Sequence, residues 1–181
     1  MEQSLESTIA LLRRTPGTLD ALLRGLPDEW TRRNEGEGTW SAVEIVGHLA
    51  HGEITDWMPR VQWILRHGES RDFPPFDRTG FWNLIEGREV GAVLDHFARL
   101  RLKSLEELEG LNLQPEDMER CGLHPNFGRV TLSQLLATWA AHDANHLHQI
   151  ARVLAHQYRH AVGPWSAFLG VMHCDGHSAA G

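Results

Sequence analysis

The sequence predicts an all-α fold, a four-helix bundle with long inter-helix loops, on three observations. Apolar residues recur at helical spacing over four long segments, two of those segments open on capping boxes, and strand-like alternation is weak throughout. With 181 residues and 41% hydrophobic content, the chain suits one domain with a sizeable core. Residues 1–172 are read as that domain and residues 173–181 as a disordered tail.

The first segment runs from about Leu5 to Leu26 on Ile9, Leu12, Leu19, Leu22, Leu23 and Leu26. Pro16 lies inside it, so the segment is either kinked or two short helices. The second opens on Ser41-Ala42-Val43-Glu44, a capping box preceded by Trp40. It continues through Ile45, Val46, Leu49, Ile54, Trp57, Val61 and Ile64 to about Arg66, with a bend expected at Pro59. Residues 67–88 are too rich in Gly and Pro for regular structure and read as a long connection of the kind that borders a site. The third helix spans about Glu89 to Glu109 on Val90, Val93, Leu94, Phe97, Leu100, Leu102, Leu105 and Leu108, and a second loop follows. The fourth opens on the capping box Thr131-Leu132-Ser133-Gln134 and runs to about His160, short of Gly163-Pro164. Trp165, Phe168, Leu169, Val171 and Met172 then form an apolar cluster suited to docking on the bundle.

A formal charge of −7 without a polybasic run argues against nucleic acid or anionic lipid as a partner. Charged residues and histidines interrupt every apolar stretch, so no membrane span is expected. The N-terminus lacks the order of a secretory signal, and the expected location is cytoplasmic. Cys121 and Cys174, the two cysteines, are far apart in sequence and read as reduced thiols.

Histidine is the unusual residue, with twelve in the chain. Leu135, Trp139, His142, His146, Gln149 and Val153 recur at intervals of three and four, the inward seam of a bundled helix. His142 and His146 therefore share a core-facing side one turn apart, a spacing at which two imidazoles chelate one ion. His48 holds an equivalent place on the second helix, where Gly52 leaves room beside it. If the two helices are neighbours, His48 supplies a third nitrogen. Three neutral ligands leave a divalent ion its full charge and an open position, which suits water or substrate better than a closed structural site. A lone histidine on an apolar face is usually a satisfied core residue. Three converging ones are harder to explain without a shared ion.

The other histidines carry less weight. His51 lies one turn beyond His48 but leans off its face, and His148, His156 and His160 fall mostly on the outer side of the fourth helix. His67, His96 and His124 are isolated, and the His173-Cys174-Asp175-Gly176-His177 run belongs to the tail.

Two segments resemble the DinB-like, or YfiT-like, superfamily. They are Trp40-Ser41-Ala42-Val43-Glu44-Ile45-Val46-Gly47-His48-Leu49 and His142-Asp143-Ala144-Asn145-His146-Leu147-His148-Gln149-Ile150. The likeness extends over roughly residues 4 to 172, with Thr15-Pro16 and Gly163-Pro164-Trp165 as further marks. It implies a four-helix bundle, often a homodimer, with nickel or zinc on His48, His142 and His146. It also implies a small-molecule substrate, in some members with a low-molecular-weight thiol as cosubstrate.

A divalent ion on three histidines suits a hydrolase that activates water. The same open position would accept a thiolate and so support an S-transferase, or the site could serve a non-catalytic metal-binding or ligand-binding module. Glu53, by its place after the first histidine in the resembling segment, is the candidate acid/base or supporting carboxylate. Glu44 is accounted for by its cap, and Asp143 reads as orienting a ligand or facing another helix. Trp57, Trp63, Phe73, Phe76, Phe81 and Trp82 either line a pocket or pack the core and loops.

Overall fold

The structure, a computed structural model, describes residues 4–173. Helix α1 (Leu5–Leu12) starts where Ser4 Oγ accepts the Ser7 N–H at 3.1 Å. Helix α2 (Thr15–Leu23) follows with Pro16 in its first turn, where a missing N–H costs no helical bond. Of the two alternatives left open around Pro16, the chain adopts two short helices. Gly25 (φ 81°) ends this arm, and a single turn, α3 (Asp28–Thr31), leads toward the next.

The second long segment is also divided. Helix α4 (Ala42–Thr55) stops at Asp56 (φ −117°, ψ −69°), and α5 (Trp57–His67) restarts beyond it. The interruption expected at Pro59 thus falls three residues earlier. A proline clashes with the carbonyl four residues back, here that of Thr55, and restarting the helix puts Pro59 in a first turn that needs no N–H. After α6 (Trp82–Ile85), helix α7 (Val90–Gly110) runs unbroken, and α8 (Leu132–His156) ends one turn before the expected His160.

A strand pair was not expected, yet β1 (Cys121–His124) and β2 (Gly128–Thr131) form an antiparallel hairpin inside the second long loop. Four-residue strands are too short to show alternation, and their packing comes from elsewhere. Phe73 N–H donates to the Leu123 carbonyl at 2.8 Å, and a Cβ on Gly122 would lie 2.7 Å from the Phe73 ring and 2.9 Å from Ile64. Cys121 is a buried free thiol. The C-terminal apolar cluster docks only in part. The 3-10 turn Gly170–Met172 packs on α8, whereas Trp165 and Phe168 are exposed. They sit three apart in the 3-10 segment Gly163–Phe168, so they share one outward ridge. Cys174 to Gly181, most of the expected tail, lies outside the described residues. No helix among the described residues is long and apolar enough to cross a membrane.

The bundle is formed by four arms: α1 with α2, α4 with α5, α7, and α8. Helix α4 packs on both α7 and α8, which makes the second and fourth segments neighbours as the three-histidine reading required. Two apolar clusters fill the interior. One holds Leu19, Val46, Leu49, Phe81, Phe97 and Ile150. The other holds Leu12, Trp57, Val61, Leu105, Leu135 and Trp139. Each arm passes from one cluster to the other through a buried polar residue: Thr15, Glu53, Arg101 and Asp143. A polar layer therefore divides the core, and the histidines adjoin it in sequence.

Candidate metal centre

Two caps set the angles at which the site's helices begin. Ser41 N–H donates to Glu44 Oε2 at 2.6 Å, and Glu44 N–H returns to Ser41 Oγ at 3.5 Å. Thr131 and Gln134 repeat the exchange at the start of α8, at 2.9 and 3.1 Å. From these fixed starts, helical spacing brings His48 on α4 and His142 and His146 on α8 to the interior, with His48 and His146 buried and His142 half-buried.

The three imidazoles converge through their Nε2 atoms. His48 Nε2 lies 3.2 Å from His142 Nε2, and His146 Nε2 lies 3.0 Å from the same atom. One ligand atom from each residue falls within 4.8 Å of the other two. Nitrogens at ~2.0–2.1 Å from a tetrahedral ion would be ~3.3 Å apart, close to these separations.

The opposite ring nitrogens show which form the rings take. His48 Nδ1 faces the Arg78 carbonyl at 3.3 Å, and His146 Nδ1 faces Gln149 Oε1 at 2.7 Å. An acceptor oxygen requires N–H on Nδ1, so both rings carry lone pairs on Nε2, aimed at His142. Burial holds the imidazoles neutral. It lowers His48 to about 3 and His142 to about 2, with the neighbouring histidines adding to the effect, and it moves His146 in the same direction. The His142 tautomer is not fixed in this way: its Nδ1 is buried and finds no hydrogen-bond partner among the described residues, so its Nε2 can donate to one neighbour, or a cation among the rings would take a lone pair from all three. The residues present fit a divalent metal.

Aromatic rings close around the triad. Trp40 lies 4.8 Å from the His48 ring and Trp57 lies 5.1 Å from that of His142, while Phe76 and Phe81 lie 6.0 and 6.2 Å from His48. Of the six expected pocket residues, Trp57, Phe76 and Phe81 take this place. Trp63 lies tilted against His67, Phe73 meets His124, and Trp82 is half-exposed. Gly52 makes room as expected, but for Trp57: a Cβ there would lie 3.1 Å from the indole nitrogen. His51 pins a loop, with Nε2 donating to the Asp77 carbonyl at 2.9 Å. A Cβ on Gly80 would press to 2.7 Å against its ring.

Glu53 lies in the polar layer. Its Oε1 accepts from Arg101 Nε at 3.0 Å, Arg101 Nη2 at 2.8 Å and Trp139 Nε1 at 3.2 Å. The same guanidinium reaches Asp143 at 2.6 and 3.0 Å and the Leu12 carbonyl at 2.8 Å, while Thr15 Oγ1 donates to Asp143 Oδ2 at 2.5 Å. Asp143 thus faces the other helices, as one of its two readings had it. Sequence reasoning missed Arg101, counting the exposed Leu102 on the apolar face instead. Its signal was available: Arg101 lies four residues after Phe97 and four before Leu105, on the buried seam.

Comparison with known proteins agrees with this architecture. YfiT from Bacillus subtilis, described as a probable metal-dependent hydrolase with an unusual four-helix bundle topology, superposes with a TM-score of 0.70 at 19% identity, over 93% of this chain and 91% of that one. TT2238, described as a four-helix bundle protein, gives 0.53 at 22% identity, over 80% and 95%. No curated protein matches the chain. At these identities the two structures speak for the fold alone. The sequence match to the DinB superfamily covers residues 11–150, from α1 through all three histidines, and the chain belongs to that superfamily.

Proposed function

We propose that the protein is a metal-dependent hydrolase of small molecules, with a divalent ion, nickel or zinc, bound by His48, His142 and His146. The observation that carries this reading is the convergence of three neutral Nε2 atoms, two of them fixed as acceptors from behind. Bound there, such an ion lowers the pKa of water to about 7 and polarises a substrate oxygen.

The chain's own residues do the rest. Arg78 O and Gln149 Oε1 hold two imidazoles in the ligating form, which raises their basicity and fixes their planes. Trp40, Trp57, Phe76 and Phe81 keep bulk water from the rings and strengthen the electrostatics there. Glu53 enters this reading as a positioning group. Its Oε1 is engaged by Arg101 and Trp139, which leaves that oxygen poorly placed to exchange protons with a substrate.

Elemental analysis should find about one divalent ion per chain, lost in His48→Ala, His142→Ala and His146→Ala variants. A panel of esters and amides should contain a substrate whose turnover stops with chelator and resumes on adding metal. Equal metal in wild type and all three variants would overturn the site. Turnover only with an added thiol, and of electrophiles rather than esters, would favour the S-transferase reading, which uses the same open coordination.

A further inference from the structure

The two histidine rings that are fixed from behind are held in different ways. His146 finds its acceptor, Gln149, on its own helix. His48 finds its acceptor, the Arg78 carbonyl at 3.3 Å, in the connection between α5 and α6, where the chain is not helical. Something other than helical geometry must put that carbonyl in place.

The connection is secured at Phe73, whose N–H bonds the Leu123 carbonyl at 2.8 Å, and at Phe81, buried where α6 begins. Pro74 and Pro75, between them, bring no N–H. From Asp77 to Gly80 the chain turns, with Gly80 N–H on the Asp77 carbonyl at 3.4 Å and Thr79 N–H on Asp77 Oδ1 at 2.9 Å. These bonds shape the turn without seating it on α4. His51, one helical turn beyond His48, provides the seat. Its Nε2 donates to the Asp77 carbonyl at 2.9 Å, next along the chain to the carbonyl that His48 uses. Gly80 closes on the same ring, since a Cβ there would lie 2.7 Å from His51 Cε1 and 2.9 Å from Nε2. The Phe76 ring lies 5.5 Å from His51 and 6.0 Å from His48, so it spans the two.

We infer that His51 is a positioning residue of the metal centre: by seating the turn on α4, it holds the Arg78 carbonyl on His48 Nδ1 and leaves His48 Nε2 to the ion. This rests on the metal site proposed above and makes the order of the turn depend on the ion. The coupling runs both ways. A cation on Nε2 draws charge from the imidazole and makes Nδ1–H a stronger donor, so the ion tightens the turn as the turn favours the ion.

Two measurements test this: hydrogen exchange of the Thr79 and Gly80 amides with and without Zn²⁺ or Ni²⁺, and metal affinity by competition with a chromophoric chelator. In wild type the ion should slow both amides severalfold. His51→Phe keeps a ring and removes the donor, so affinity should fall severalfold to about tenfold and both amides should exchange faster with the ion present. His51→Gln, whose amide can still donate, should recover most of the affinity. Unchanged affinity in His51→Phe, equal losses in the Phe and Gln variants, or wild-type amides indifferent to the ion would each overturn the positioning role and leave the metal site intact. The last of these needs no variant to fold. Failure of wild type to bind the ion would overturn the metal reading itself, and the chelator titration separates the two results.

Discussion

His146 Nδ1 gives its proton to Gln149 Oε1 at 2.7 Å, so one amide oxygen decides which nitrogen of the ring faces the other two histidines. Gln149→Leu keeps the side chain's bulk and removes that acceptor. Metal affinity should fall about 10- to 100-fold, measured by competition with a chromophoric chelator, while helical content stays unchanged. Unaltered affinity would mean that the ring is fixed by packing alone. The depressed histidine pKa values carry a second expectation. His48 at about 3 and His142 at about 2 lie below the unfolded value of 6.5, so the unfolded chain takes up more protons in between. Stability of the metal-free protein is therefore complete above pH 6.5 and is lost as pH falls below it, by about 1.4 kcal/mol per unit for each ring that stays neutral. Urea midpoints between pH 7.5 and 5.0 should show the fall, shallower in His142→Asn, and a flat profile would refute it. His142 and His146 could be counted off one helix, whereas His48 needed either the resemblance or the contact between α4 and α8. Arg78 had no such signal, because a loop residue has no periodicity to place it.

Among the elements that spacing could not reveal is α6, and it depends on one glycine. A Cβ on Gly47 would lie 2.5 Å from Ile85 Cγ2 and 3.2 Å from the Phe81 ring, so α6 rests on bare α4 backbone. Gly47→Ala should push α6 outward and cost about 1–3 kcal/mol in urea denaturation, even though alanine is the better helix former. A stabilised variant would show that α6 yields freely. The caps at Ser41 and Thr131 were legible because a capping box is local chemistry. The break at Asp56 was displaced from its cause, since proline acts on the carbonyl one turn back. The hairpin was missed because its order comes from Phe73 and Ile64, far away in sequence.

At the scale of the whole molecule, two apolar clusters on either side of the polar layer hold the four arms together. Removing metal with a chelator should therefore lower the melting temperature only by the lost binding free energy, with a cooperative transition and native circular dichroism retained. Collapse to an unfolded chain would instead make the ion a structural staple. The bundle class was legible from periodicity summed over long segments. The pairing of the arms was not, since helical spacing shows which face is buried and leaves its partner unnamed.

The Arg101 layer has a consequence for the folds this chain does not adopt. Leucine-rich seams tolerate sliding by a turn, since one apolar contact replaces another at small cost. Here a slid or rotated α8 would strand Arg101 and two carboxylates in the interior, and breaking such a buried pair costs about 3–5 kcal/mol. The layer thus acts as a register key, and it sits one residue from His142. Replacing Glu53, Arg101 and Asp143 together with Leu, Met and Leu should leave a helical protein of similar or higher stability whose amide spectrum reports several arrangements of α8. A single sharp spectrum with full metal affinity would show that the apolar seams choose the register unaided.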